Sequence, residues 1–400
     1  MKRKMKHILI VPAETFPSHE PFLDAVYSKE KDLFKTVFLM KTDKKKYRTA
    51  FWNMSKVYLL KRKPRLKIIK YIETYFKIDC RNLIMIPYII HKEKIDIIQI
   101  RDLTFPLVLG LLYKLFFKKK IVYQKSHPHE YLKIHNARRN LHDQKFPNLF
   151  YRSVLLENKI LHKMLKYADA VFPITPYMAE NLQKDYNLPL KKMYPFGMGF
   201  DFETSIDQHH SSNHVFRFVY IGTLAKERGF DILLEGIAKF LTKYQNNNVV
   251  FDFIGGKEDE IEALKKKAKK LQICNKIKFH GVIPREEVYK LLPQYKIGIS
   301  WFGSSKRFQC ASPTKLMEYL AFQLPCIATD SVSMHQDILD ATGAGLITEI
   351  SPDMICEKLK ECVVNYNSLS EKAKNAHYHI KQFHNYQNMK QEIYNIYQTI

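Results

Sequence analysis

Short apolar runs, HILIV, IDIIQI, KIVYQ, AVFPI, FRFVYIG, VVFDFIG, IKFHG, IGISWF and PCIAT, alternate with longer amphipathic stretches through most of the chain. Runs of this length suit strands buried on both faces, and connections long enough to hold a helix join such strands in parallel. The pattern predicts an α/β protein built from parallel sheets. Residues 8–11 form the first expected strand. The polar stretch FETSIDQHHSSNH carries no periodicity and stands directly before FRFVYIG, so a domain boundary is placed there. Three parts result: an N-terminal domain over 1–203, a C-terminal domain over 204–378, and a final helix over 379–400 able to pack back on the first domain. Phe383, Tyr386, Ile393 and Tyr397 are the packing positions expected near that end.

Composition agrees with two domains, since 400 residues with 46% hydrophobic content exceed what one core usually supports. The net charge of +25 favours phosphates, polyanions or an anionic membrane face. It is uneven: residues 41–70, opening on Lys41 and closing on Lys70, hold twelve basic residues and one acid. Phe51, Trp52, Tyr58, Leu59 and Leu60 are mixed among them. Such a segment either holds a peripheral protein to anionic lipid or is simply a solvated basic face. The six cysteines form no CxxC pair, which fits reduced thiols in a cytoplasmic protein. MKRKMKHILIVPAE has too short an apolar core for an export leader, and LTFPLVLGLLYKLFF, interrupted by Pro106 and Lys114, is too short to span a bilayer. No recognised nucleic-acid-binding module accompanies the positive charge.

The stretch CASPTKLMEYLAFQLPCIATD, residues 310–330, puts one carboxylate, Glu318, into an apolar run. Ser312 is suited to cap a helix and Pro313 to its first position. The amides of the first turn, at Thr314, Lys315 and Leu316, and the helix dipole then favour an anion in front. Lys315 adds a full charge. Glu318 lies three residues further along the same face, where a carboxylate can accept hydrogen bonds from the two vicinal hydroxyls of a ribose. A half-exposed helix glutamate behind a well-made cap is the alternative.

YIGTLAKERGFDILLEGI supplies a second element: a strand, the turn at Gly222, then Thr223, Lys226 and Arg228 in a loop before the next helix. In parallel sheets ligands lie beyond the carboxyl ends of strands, so this loop and the first turn after Ser312 can face one crevice. FIGGKEDE, with Gly255, and IKFHGVIPREEV, with Val282 and Ile283, add two further strand-end loops.

These four elements, in this order, resemble the nucleotide-sugar domain of GT-B glycosyltransferases of family 4, the retaining group of bacterial polysaccharide and glycolipid transferases. The resemblance reaches back to ADAVFPITPYMAENLQKDYNLPLKKMYPFGMGFD and is weak over the first 120 residues. It implies two Rossmann-like domains with parallel sheets facing across a cleft, the first binding the acceptor and the second the donor. Glu318 then binds ribose, Ser312 to Leu316 hold the diphosphate, and Arg228 is a basic diphosphate ligand. Gly222, Thr223, Lys226, Gly255, Val282 and Ile283 border the same site. Two positions depart from the family's pattern: Thr223 replaces a basic residue, and Cys310 replaces an acid that usually contacts the transferred sugar. Gln336 stands where the family has a later glutamate. Lys315 and Lys226 are candidates to restore the charge that Thr223 lacks.

In the N-terminal half, KIVYQKSHPHEYLKI places His127 after a strand, matching a histidine that the family presents to the sugar. Histidines in a polar loop are the plain alternative, and a metal site from His127, His129 and Glu130 has too few ligands to be favoured. Arg101 and Asp102, at the end of IDIIQI, either line the same site or form a surface pair. The implied reaction moves a sugar from a nucleoside diphosphate sugar to a hydroxyl of a saccharide or lipid-linked saccharide, with His127, Arg228 and Lys315 in catalytic roles. The resemblance requires no metal or other cofactor and implies a place in surface polysaccharide or glycolipid synthesis, at the inner face of the cell membrane. The competing readings are a nucleotide-sugar epimerase or hydrolase on the same fold, a non-catalytic subunit, and a basic nucleic-acid-binding protein.

Overall fold

The computed structural model describes residues 5–43, 48–61, 72–73, 79–127, 146–203, 215–244 and 248–400. The chain divides into two compact units, Met1–Gly197 with Tyr386–Ile400, and Met198–Asn385.

The first unit is built on one sheet. Its strands are β1 (Lys6–Val11), β2 (Thr15–Phe16), β3 (Phe34–Thr42), β4 (Thr49–Trp52), β5 (Ser55–Lys61), β6 (Ile97–Arg101), β7 (Lys120–Lys125) and β8 (Ala170–Pro173). They run in the order β4-β5-β3-β1-β6-β7-β8, with β2 beside β3, and all pairs are parallel except β4 with β5. The central strands are apolar on both faces because helices cover both, and Ile8, Leu9 and Ile10 are fully buried. Those helices include α1 (Asn82–Lys92), α2 (Thr104–Phe117), α3 (Pro147–Leu165) and α4 (Pro176–Tyr186). Local chemistry bounds α4 sharply: the Thr175 hydroxyl accepts from the Met178 N–H at 3.1 Å, Pro176 opens the helix, and Asn187 closes it in the left-handed region.

The basic segment at residues 41–70 differs from its expected form. Tyr58 and Leu59 are buried, because β5 lies inside the sheet between β4 and β3, and Trp52 packs its ring 5.2 Å from Phe38. Phe51 is the large apolar side chain of β4 that stays exposed. Residues 44–47 and 62–71 lie outside the described residues.

The second unit carries six parallel strands, β9 (Phe216–Ile221), β10 (Val249–Ile254), β11 (Ile277–Gly281), β12 (Ile297–Ser300), β13 (Cys326–Thr329) and β14 (Gly345–Thr348). Their order is β11-β10-β9-β12-β13-β14. The chain thus steps outward from β9 to β11 and then returns to lay β12 on the other side of β9. That reversal opens a crevice at the carboxyl ends of β9 and β12, which is where doubly wound sheets place their ligands. Between and after the strands run α5 (Phe230–Tyr244), α6 (Glu258–Lys270), α7 (Arg285–Leu291), α8 (Thr314–Ala321), α9 (Ser333–Thr342), α10 (Pro352–Val364) and α11 (Tyr366–Phe383). The core packs Phe230, Leu234 and Phe240 of α5 against Phe218 and Phe251, whose rings stack at 4.8 Å.

The last helix, α12 (Tyr386–Thr399), belongs to the first unit. Tyr397 is fully buried there, its hydroxyl 3.1 Å from that of Tyr27 and its ring 5.7 Å from Phe34, while Lys390 pairs with Glu30 at 3.0 Å. Tyr386 and Ile393 are also buried, but Phe383 is 57% exposed, contrary to expectation. It is the final residue of α11, beyond the stripe of Leu369, Ala373, Ala376 and Ile380 which that helix buries.

Candidate active site

Beyond β9, Gly222 turns the backbone at φ +134°, and a Cβ there would fall 2.5 Å from Lys315 Cε. Glycine suits this turn because the conformation disfavours a side chain, and the end of the Lys315 side chain occupies the space beside it. The loop continues through a 3₁₀ turn, Lys226–Arg228, that is locked onto the end of β12. Arg228 Nη1 donates to the Trp301 carbonyl at 3.1 Å, and Trp301 Nε1 donates back to the Arg228 carbonyl at 2.7 Å. This reciprocal pair fixes the guanidinium 4.7 Å from the centre of the Phe302 ring.

α8 brings the second set of groups. Tyr319 lies against β12, where a Cβ on Gly298 would collide with its ring, and its hydroxyl accepts from the Ile221 N–H at 3.1 Å. One buried hydroxyl thus pins the helix to the reversal point between β9 and β12. Lys315 extends along Gly222 and places Nζ 5.6 Å from the Tyr220 ring and 5.6 Å from the Phe302 ring. Arg228 and Lys315 therefore converge on Phe302. The Lys315 ammonium is pushed down to about 7, first because burial strips its hydration and then because Arg228 is positive; Glu318 pulls weakly the other way. A guanidinium beside an amine that burial leaves only partly protonated is poised for an anion, which would restore the ammonium.

Glu318 is 6% exposed and sits a turn deeper. Arg285 Nη2 donates to its Oε1 at 2.6 Å and the Tyr289 hydroxyl to the same oxygen at 2.9 Å. Oε2 accepts no hydrogen bond among the described residues and remains available to a ligand hydroxyl.

The first turn of α8 departs from its expected form. The helix begins at Thr314 with Pro313 at the cap position, and the Ser312 hydroxyl accepts from the Met198 N–H at 2.8 Å, so Ser312 does not cap. The Thr314 N–H is spent on the Ser312 carbonyl at 3.1 Å. The amides of Lys315 and Leu316 are the ones left without a backbone acceptor among the described residues. The Leu316 side chain itself is fully buried in the core, so only its amide faces forward.

Of the remaining candidates, Thr223 and Lys226 are exposed on the β9 loop. Gly255 is drawn against Gly222 and donates to the Gly281 carbonyl at 2.6 Å, and Val282 is exposed beside a half-buried Ile283. Cys310 is buried in the segment before α8. His127 is exposed after β7, in the first unit, while His129 and Glu130 lie outside the described residues. Arg101 and Asp102 do not form a surface pair: both are buried, Arg101 holds Glu20 at 3.0 Å, and Asp102 accepts from the Ser126 N–H at 3.0 Å. Among the described residues no group of three His, Cys, Asp or Glu side chains is placed to hold a metal.

Sequence reasoning missed Trp301, Phe302, Arg285, Tyr289 and Arg307. The Arg307 guanidinium lies 4.6 Å from the Phe308 ring, and its buried Nε has no hydrogen-bond partner among the described residues. The one available signal was IGISWF, a strand ending on one of the chain's two tryptophans.

Two α/β units built on largely parallel sheets give the chain the GT-B fold. Residues 201–393 match the family model of glycosyl transferases group 1, a span that takes in nearly all of the second unit. The fold is similar to that of Alr3699/HepE from Anabaena in complex with UDP, with a TM-score of 0.71 at 12% identity over 99% of this chain and 100% of that one. A glycosyltransferase from Rickettsia africae ESF-5 follows at 0.70, with 14% identity over 99% of each chain. Sucrose-phosphate synthase from Thermosynechococcus elongatus gives 0.68, with 12% identity over 98% of each chain. At these identities the shared property is the fold. Among curated protein sequences there is no match.

Proposed function

We propose that the protein transfers a glycosyl group from a nucleoside diphosphate sugar to an acceptor hydroxyl, with retention of anomeric configuration. The observation that carries this reading is the convergence of Arg228 and Lys315 on the Phe302 ring at the crevice between β9 and β12. The diphosphate lies against these two cations and the amides of Lys315 and Leu316, and the ribose hydroxyls bind Glu318 through Oε2. As the bond from the sugar to the diphosphate breaks, negative charge accumulates on the leaving oxygen, and the preorganised cations lower the barrier there. The acceptor attacks from the leaving-group side and its proton passes to the departing phosphate, so no protein base is assigned. The missing basic residue at Thr223 is compensated by Lys315, whose stem lies where a side chain at Gly222 would be.

His127 is proposed to contact the transferred sugar, and Thr223, Lys226, Gly255, Val282 and Ile283 to border the donor. The acceptor is a saccharide or lipid-linked saccharide bound by the first unit, residues 1–203 in the sequence division, in surface polysaccharide or glycolipid synthesis on the cytoplasmic face of the membrane. The complexes of HepE with UDP and UDP-glucose support a UDP-hexose as the first donor to test.

The test is a panel of nucleotide sugars incubated with the protein, with and without a membrane glycolipid extract, scored by release of the nucleoside diphosphate. One donor is expected to be consumed, and the extract is expected to accelerate its consumption. Consumption indifferent to the extract contradicts transfer and indicates hydrolysis; no consumption of any donor contradicts an enzymatic role.

A further inference from the structure

The donor site accounts for none of the apolar surface of the first unit. α2 reads TFPLVLGLLYKLFF and buries Thr104, Pro106, Leu107, Leu109 and Gly110. A helix that had only its own sheet to cover would carry polar residues elsewhere. Instead Leu115 is 73% exposed and Phe116 70%, with Leu112 and Phe117 exposed beside them. The surface is ordered: Phe117 stacks on Tyr113 at 5.0 Å and meets the edge of His91 from α1 at 5.9 Å. Leu111, Leu112 and Leu115 continue into a groove of about 490 Å³ whose far side is Met164, Lys166 and Tyr167, at the end of α3. Monomeric proteins seldom leave a contiguous patch of this kind without a partner.

The charge around the patch is predominantly basic, with Asp169 paired to Lys114 and Lys120. Residues 103–129 contain no acid, and α2 runs directly into Lys118, Lys119 and Lys120. Lys118, Lys163 and Lys166 are exposed. Lys114 is held by Asp169 at 2.8 Å, which leaves the acid neutralised. Lysine is depleted in protein–protein interfaces, so a lysine rim around exposed leucines and phenylalanines fits poorly with a protein partner. It fits an anionic bilayer, where the rings and leucines enter the interfacial region and the ammonium groups meet lipid phosphates. We propose that the exposed face of α2 together with the end of α3 is a docking surface for an anionic lipid bilayer. It is built from other residues than the basic segment at 41–70, and it does not depend on the nature of the donor.

The experiment is flotation with vesicles of phosphatidylcholine alone and of phosphatidylcholine mixed with phosphatidylglycerol. The full chain is expected to float with the mixed vesicles, with binding that falls as salt rises. The double variant Leu115→Ser, Phe116→Ser is expected to lose at least about tenfold in partitioning while melting at the same temperature, because both side chains are exposed. Lys118→Ser with Lys166→Ser is expected to weaken binding and flatten its salt dependence, and Phe51→Ser in β4 to leave it unchanged. The proposal is overturned if the parent ignores the mixed vesicles, if the Leu115, Phe116 variant floats as the parent does, or if Phe51→Ser alone abolishes flotation. Self-association that the same double variant dissolves also overturns it, by assigning the patch to a second copy.

Discussion

Arg285, the first residue of α7, donates to Glu318 of α8 across 2.6 Å, and Tyr289, one helical turn further along α7, reaches the same oxygen. The acid is thus held through one oxygen before any ligand arrives. Replacing Arg285 by alanine removes that orientation but not the acid. Nucleotide affinity is expected to fall about threefold to tenfold, roughly 1 kcal/mol, and affinity for inorganic pyrophosphate to stay unchanged, both by calorimetry. Equal losses for the two ligands would show that Arg285 serves the phosphates instead.

Lys315 makes donor binding a proton-linked event. With its folded value near 7, the amine is largely neutral above that pH until a diphosphate restores the ammonium. Binding measured at about pH 8.5 in buffers of different ionisation enthalpy is expected to show uptake of close to one proton. Affinity should fall as pH rises from about 7.5 to 9, and Lys315→Met should abolish both effects. In the unliganded protein the sign is also fixed: the unfolded chain binds this proton more tightly than the folded one. The contribution of Lys315 to stability therefore rises with pH from about 7 to the ordinary lysine value of 10.5.

The clamp between Trp301 and Arg228 separates binding from turnover. Trp301→Phe keeps the ring and deletes the 2.7 Å bond to the Arg228 carbonyl. A loss of about tenfold in kcat is expected, with little change in KM, because the guanidinium is needed most when charge builds on the leaving group. Arg228→Ala should lower kcat by about a hundredfold.

His335 is fully buried behind the same strand ends, with Nε2 2.8 Å from the Ser300 hydroxyl and Nδ1 2.7 Å from the Thr329 carbonyl. Burial, with a smaller push from Lys315, lowers its value from 6.5 to about 4. The folded state therefore resists a proton that the unfolded chain accepts. Stability is complete above about 6.5 and declines as pH falls toward 4, by roughly 3 kcal/mol at most from this group. Urea midpoints at pH 7 and 4.5 should differ less in His335→Gln than in the parent. The same slope in both would remove His335 from the acid response.

The alternation of apolar runs was enough to read two parallel-sheet units, since strands buried on both faces have no other sequence form. Glu318 stood out as a candidate for a related reason: an acid inside LMEYLA breaks a pattern that packing alone would complete. Arg285 and Tyr289 were not, because a charged helix such as REEVYKL reads as solvated until the fold sets it beside α8. Trp301 was hidden likewise, its hydrogen bonds being made to a loop 73 residues away. The cap at Ser312 misled because its hydroxyl is claimed by Met198, a long-range partner that local preference does not reveal. Leu316 misled because a first-turn position can offer its amide forward while its side chain fills the core.

The most direct test is calorimetric titration of UDP and of inorganic pyrophosphate into the parent and into Glu318→Ala. If the ribose is held by Glu318 and the diphosphate by Arg228 and Lys315, the variant loses at least about tenfold in UDP affinity, 1.4 kcal/mol or more, and binds pyrophosphate as before. Undiminished UDP affinity in the variant would contradict the account.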